Sequence, residues 1–214
     1  MARRKTLRKQ QFQEFPNCFH ASECSPGHWS TFFGKKGSLT LELGCGHADF
    51  SFELAKRFPG RNFVGVDLKM DRMWRAAQRA LSEGIHNIGF VSLNLLELAN
   101  HFLENEAEEL WITFPDPFPK KRQAKHRMVN TAFLKGYQKV LKPGGKLHYK
   151  TDNLPLFHYS LEEFVKGGLL TFNQLSFDLH GDESISADAK VLTAYERRFL
   201  EMDMKINYLQ AYFN

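Results

Sequence analysis

The chain has 214 residues, 43% of them hydrophobic and 20 of them Phe, enough to bury one core without disulfides or a structural metal. No apolar run approaches membrane-spanning length, the charged start lacks the apolar centre of a signal peptide, and three cysteines (Cys18, Cys24, Cys45) read as reduced thiols in a cytoplasmic protein. The net charge of +5 is unevenly placed: residues 1–10 and 119–127 each carry five Lys or Arg and no acid, so the rest of the chain is acidic. Two such runs are either solvated charge or local contacts with phosphates, and their concentration favours phosphates.

Residues 1–37 read as a basic tail and an irregular lead-in. Cys18, His20, Cys24 and His28 match no common metal spacing, so this stretch is expected to be a packed arm without a metal. From residue 38 to 214 a single domain is expected. SLTLELG is a short apolar strand ending in glycine, and Phe50, Leu54 and Phe58 mark a helical face closed by Pro59-Gly60. NFVGVD is a second strand, ending on Asp67; Trp74, Ala77 and Leu81 mark the next helix, stopped at Gly84. IGFVSLN and ELWITF are further strands. Val129, Phe133, Tyr137, Val140 and Leu141 form a helical face that KPGG ends, KLHYKTD is a fifth strand, and Leu161, Phe164 and Val165 mark a helix ending at Gly167-Gly168. LLTFNQLSF and KINYLQAYF read as a closing antiparallel pair, with the polar GDESISADAK between them as a mobile loop. Alternating strands and helices imply an α/β fold, a doubly wound and mostly parallel sheet of Rossmann-like type.

Chemistry concentrates where strands end. LELGCG sets Gly44 and Gly46 in a turn that lets backbone approach a ligand. Asp49 stands where a dinucleotide fingerprint has its third glycine, and an acid there disfavours pyrophosphate. Glu42 adds a second negative charge, and Asp67 ends the next strand at the spacing of a ribose-binding acid. A ribose-bearing ligand with a positive centre and no phosphate is S-adenosylmethionine; the plainer alternative makes Glu42 and Asp67 ordinary turn residues. In FPDPFPKKRQAKHR, prolines on both sides stiffen the backbone around Asp116 at the end of the fourth strand, the switch point of an open sheet. Asp116 either pairs with Lys120 in a rigid surface turn or meets a nucleobase while the cations behind it hold phosphates. His126, inside the basic run, reads as a phosphate or stacking contact. Asp152 ends the fifth strand and either faces substrate or caps the next helix, a role Asn153 can also fill.

Taken together, W-x-x-F-G (Trp29 to Gly34, one residue longer here), LELGCG, GVD, FPDPFPKKR, KPGG, KTDN and TAYE resemble, in order, the bacterial tRNA (guanine-N7)-methyltransferase family. FPDPFPKKR with KTDN downstream is the specific part; ELGCG alone is weak. The resemblance implies methyl transfer from S-adenosylmethionine to guanine N7 in the variable loop of tRNA. It implies that Glu42, Asp67, Asn94 and Asp116 line the cofactor site, with Asp116 the catalytic acid residue. It assigns Lys120, Asp152 and Thr193 to Glu196, Tyr195 included, to the guanine, and Arg122 to Arg127, with Lys125 between them, to the RNA. The chain departs from the pattern at Phe118 (usually Trp), Ala48 (often Gly), Asn94 (an acid expected) and Ala194 (the acid of T-E-Y-E).

Guanine N7 has an in-plane lone pair and no proton to lose, so the chemistry asks for positioning and for a carboxylate near the charge that develops. Three rivals remain: an exocyclic-amine methyltransferase, through a loose likeness of DPFP to D-P-P-F; a non-catalytic tRNA-binding protein keeping the fold; and a small-molecule methyltransferase. No obligate protein partner is evident, and monomer and homodimer stay open.

Overall fold

The computed structural model describes residues 2–34, 37–166 and 168–214; the end of the helix read at Gly167 lies outside them. Eight strands form one sheet in the order β1-β4-β3-β2-β5-β6-β8-β7. They are β1 (Cys18–His20), β2 (Leu39–Leu43), β3 (Asn62–Asp67), β4 (Ile88–Ser92), β5 (Ala107–Thr113), β6 (Leu141–Thr151), β7 (Leu170–Ser176) and β8 (Asn207–Phe213). Strands β1 to β6 pair in parallel, and β8 runs antiparallel to both of its neighbours, β6 and β7. The doubly wound sheet with its antiparallel closing pair is as expected.

β2 and β4 are buried at every position, as parallel strands covered on both faces must be. The helices are α1 (Ala2–Glu14), α2 (His28–Phe32), α3 (Asp49–Arg57), α4 (Met70–Ser82), α5 (Leu98–His101), α6 (Thr131–Val140), α7 (Leu154–Lys166) and α8 (Ala194–Glu201). Phe50 and Leu54 of α3 and Phe133, Tyr137 and Val140 of α6 are buried on the faces that their spacing marks. Leu81 and Val165, read as parts of such faces, are 38% and 63% exposed. Asn130 caps α6 by accepting from Ala132 N at 2.9 Å. KPGG does not stand between helix and strand: β6 begins at Leu141, and the tetrapeptide forms a bulge against β5 with Gly144 at φ +74°.

Two segments differ from their reading. The stretch read as a basic tail is helical: α1 lies against α4, with Phe12 buried, Arg8 over the Trp74 ring at 5.0 Å and Lys5 3.9 Å from Asp71. β1 then pairs with β4. Burial pushes the thiols of this arm up, Cys24 to about 12, so they are protonated and unreactive at neutral pH. The polar segment 181–190 is not a free loop, because Ile185 and Ala189 are buried in the core.

Among the described residues, no helix is long and apolar enough to cross a membrane, and no group of three His, Cys, Asp or Glu is placed to hold a metal ion.

Candidate active site at the carboxyl ends of the central strands

A cavity of about 760 Å³ opens over the carboxyl ends of β2, β3, β4, β5 and β6. This is the size and place expected of a small-ligand site in an open α/β sheet. Its floor is the turn after β2. Gly44 and Gly46 both have positive φ, +67° and +56°, and a side chain at Gly44 would meet the Met128 sulfur at 2.7 Å. At Gly46 an added carbon would meet nothing within 4 Å, so backbone lies open to the cavity. Ala48 takes the left-handed conformation, φ +54°, where a glycine would be unstrained.

Asp67 accepts from Gly46 N (2.9 Å) and Lys69 N (2.8 Å), one bond on each oxygen. Each oxygen keeps a lone pair for a ligand hydroxyl. Glu42 sits deeper, 2% exposed. It accepts from Ser51 N (3.1 Å), Ser51 Oγ (2.6 Å) and Thr113 Oγ1 (2.7 Å), tying β2 to α3 and β5. Burial pushes its carboxyl up, and those bonds only partly oppose the rise. Asn94 is exposed at the cavity edge; its Oδ1 accepts from Leu96 N at 3.2 Å, and its amide N–H groups remain for a ligand.

Phe114 and Phe118 both have positive φ, +49° and +43°, and each precedes a proline. Bulky residues rarely hold that conformation, and it costs about 1–3 kcal/mol apiece. Between them Asp116 is exposed on the cavity wall and has no hydrogen bond or ion pair among the described residues. The surface turn with an Asp116–Lys120 pair is therefore not what forms.

Arg127 explains how the strain is held. Its Nε donates to Pro117 O (3.2 Å) and Nη2 to Phe118 O (3.1 Å), and its guanidinium lies 4.1 Å from the Tyr159 ring centre. Lys120, Arg122 and Lys125 are exposed, and Lys125 and His126 reach the cavity. Asn130 Nδ2 pins this turn by donating to Lys125 O at 2.8 Å.

Asn153, not Asp152, caps α7, accepting from Leu156 N at 2.8 Å. Asp152 is left facing the cavity, its carboxyl pushed up by burial. Tyr195 is exposed at the cavity rim with its ring 6.4 Å from that of His47. Thr193 lines the cavity and also caps α8, accepting from Glu196 N at 3.0 Å.

Glu196 is fully buried and does not reach the cavity. It accepts from Lys150 Nζ at 2.8 Å and lies 2.9 Å from His180 Nε2. Burial pushes its carboxyl up, but His180, the Lys150 charge and the Thr193 amide outweigh that and hold it below the ordinary range. Lys150 was not singled out by the sequence. Its ammonium, 0% exposed, also donates to Ala189 O (3.2 Å) and Val191 O (3.1 Å) and lies 4.5 Å from the Phe50 ring centre. All three of its donors are satisfied, and they fasten segment 189–196, which carries Thr193 and Tyr195, to the sheet.

Of the expected site residues, the cavity gathers Glu42, Gly44, Gly46, Asp67, Asn94, Asp116, Lys125, Asp152, Thr193 and Tyr195. Lys120, Arg122, Arg127 and Glu196 lie outside its lining. His47, Arg72, Met128 and Phe199 line it without any local sequence signal.

The fold and the sequence are similar to those of known proteins. A family model described as a putative methyltransferase matches residues 36–209. The chain is similar in fold to the 16S rRNA methyltransferase KamB, with TM-score 0.68, 14% identity and coverage of 89% of this chain and 94% of that one. It is also similar to a variant of the 16S rRNA (adenine(1408)-N(1))-methyltransferase of Catenulisporales acidiphilia solved with cosubstrate SAM. There the TM-score is 0.60, with 19% identity over 88% of this chain and 91% of that one. A tRNA (guanine-N(7)-)-methyltransferase of Cytophaga hutchinsonii is 33% identical over 100% of this chain and 99% of its own length. With end-to-end correspondence at that identity, and a methyltransferase match spanning nearly the whole sheet, the chain belongs to the tRNA (guanine-N(7)-)-methyltransferase family.

Proposed function

We propose that this chain transfers a methyl group from S-adenosylmethionine to N7 of a guanine in the variable loop of tRNA, as a cytoplasmic enzyme. The observation that carries the reading is Asp116: an unpaired carboxylate, held on the cavity wall by a strained loop, with exposed cations directly behind it. S-adenosylmethionine, when bound, supplies an electrophilic methyl on a sulfonium sulfur.

The residues present fit that group. Asp67 keeps a free lone pair on each oxygen for the ribose hydroxyls, and the open backbone at Gly46 allows close approach. Asn94 offers its amide to the adenine edge. Glu42, engaged by Ser51 and Thr113, acts from below by fixing the turn and adding negative potential under a cationic ligand.

Toward the substrate, Asp116 matches the parallel N1–H and N2–H donors of guanine, and such a carboxylate both orients the ring and stabilises the positive charge it gains. No base is needed, because N7 carries no proton. Asp152 and Tyr195, which line the same cavity, contact the base in this reading, while Lys120, exposed outside the cavity lining, joins Arg122 and Lys125 on the phosphates instead of meeting the guanine. Arg127 contributes by fixing the Asp116 loop.

The test is transfer of labelled methyl from S-adenosylmethionine to unmodified bulk tRNA, followed by nucleoside analysis. Label in 7-methylguanosine is expected. Label on another base would refute the site of transfer. tRNA binding without transfer, under conditions where the cofactor binds, would refute the enzyme reading in favour of a binding protein.

A further inference from the structure

Beside the main cavity lies a second pocket, of about 270 Å³, whose walls carry four arginines: Arg8 from α1, Arg72 and Arg75 from α4, and Arg198 from α8. We propose that this pocket is a second phosphate-binding site of the enzyme, taking backbone phosphates of the RNA strand that flanks the target guanine. The proposal rests on the tRNA reading above and extends it to residues outside the basic run 120–127.

Four observations support it. None of the four guanidinium groups has an ion pair among the described residues, although two carboxylates, Asp49 and Asp71, share the pocket. Asp71 is instead approached by Lys5 from outside the cluster, at 3.9 Å. Four guanidinium groups against the carboxylates of Asp49 and Asp71 still leave the lining net positive, so a bound anion lowers the repulsion among the arginines despite the acid at Asp49, and planar guanidinium forks match phosphate oxygens in pairs.

Second, the cluster is assembled by long-range folding. The Arg8 guanidinium lies 5.0 Å from the Trp74 ring centre. That contact holds an arm residue over α4 and beside α8, elements that are 62 and more residues away in sequence.

Third, the pocket is continuous with the reaction cavity: His47, Asp49, Arg72 and Tyr195 line both.

Fourth, the two basic sites flank the cavity. α4 follows β3 and the 120–127 run follows β5, and in the sheet β2 lies between those two strands. An RNA strand that puts its guanine beside Asp116 would meet Lys125 on one side and the arginine pocket on the other.

The experiment is tRNA binding as a function of salt for the 214-residue chain, comparing wild type, Arg75→Gln/Arg198→Gln and Lys120→Gln/Arg122→Gln, with S-adenosylmethionine affinity measured alongside. Arg75 and Arg198 are exposed, so the double variant is expected to fold; its thermal midpoint checks this. Removing one cation from a phosphate flattens the slope of log K against log salt by about 0.7–0.9. Relative to binding at 1 M salt, that weakens tRNA binding at 0.1 M by roughly five- to eightfold for each cation removed. The expected result is a flatter slope and weaker binding for both double variants, with cofactor affinity unchanged.

A wild-type slope in Arg75→Gln/Arg198→Gln, while Lys120→Gln/Arg122→Gln is flattened, overturns the second site and leaves the tRNA reading standing. Weaker binding with an unchanged slope also overturns it, since the arginines would then not be meeting phosphate. A wild-type protein that binds tRNA without salt dependence refutes the tRNA reading itself.

Discussion

Replacing Lys150 with Met tests how the substrate-side segment is held. Met keeps the aliphatic length between Phe50 and Phe114 but removes three hydrogen bonds, from Nζ to Glu196 Oε2, Ala189 O and Val191 O. Hydrogen bonds from a charged donor contribute about 1.5–3 kcal/mol each. Part of that is returned, because the variant no longer desolvates an ammonium. What stays is a fully buried Glu196 facing only His180 and the Thr193 amide. Breaking one side of a buried pair costs about 3–5 kcal/mol, and that range is expected here. For a chain of this size the corresponding fall in thermal midpoint is about 6–20 °C. The assay is thermal unfolding of Lys150→Met, Glu196→Gln and the double variant. If the pair is a real coupling, the double variant is more stable than the summed single losses by about 0.5–3 kcal/mol. Loss of less than about 1 kcal/mol in Lys150→Met, or strict additivity, would refute the reasoning.

Asp116→Asn is expected to keep the fold and cofactor affinity and to lower turnover by about 10²–10³, the usual cost of one group that stabilises developing charge; turnover near wild type rules the role out. Gly44→Ala is expected to destabilise by about 1–2 kcal/mol for the left-handed backbone alone, and to push the Met128 thioether aside. An unchanged thermal midpoint would show that the turn relaxes. His148, buried, stacked 3.8 Å from Trp111 and with Nδ1 2.9 Å from Tyr208 Oη, is held neutral because burial lowers its pKa well below 6.5. Its folded value lies under its unfolded one, so its contribution is complete above pH 6.5 and is lost as pH falls toward the folded value. Unfolding free energies from denaturant titration should therefore fall below pH 6.5 by up to about 1.4 kcal/mol per pH unit more steeply in wild type than in His148→Gln. Parallel pH profiles would count against it.

What the sequence made legible is what local chemistry determines. The strand-ending glycines and acids mark the cavity floor because turn geometry and ligand approach demand those residue types within a few positions. The prolines around Asp116 do the same for the wall. Assembly across distance leaves no such mark. α1 reads as a tail because its polar sequence carries no apolar stripe, yet it is docked by Phe12 and by Arg8 against Trp74. Lys150 reads as an ordinary strand residue because every position from Leu147 to Thr151 of β6 is buried, so alternation cannot say which side chain points where. Its partner Glu196 is 46 residues away. Segment 181–190 reads as mobile because it is polar, and its order comes from Ile185 and Ala189 in the core and from bonds such as Lys150 Nζ to Ala189 O and Lys190 Nζ to Asp182 O. Asp116 could be picked out from its own neighbours, but the residues that make it usable could not. Arg127 holds the loop, and Lys150 holds the segment facing it. In both cases a cation is engaged by groups of the chain itself, backbone carbonyls among them. Positive charges near the cavity are thus of two kinds, those spent on holding the chain and those left exposed, and only their partners in the folded chain tell them apart.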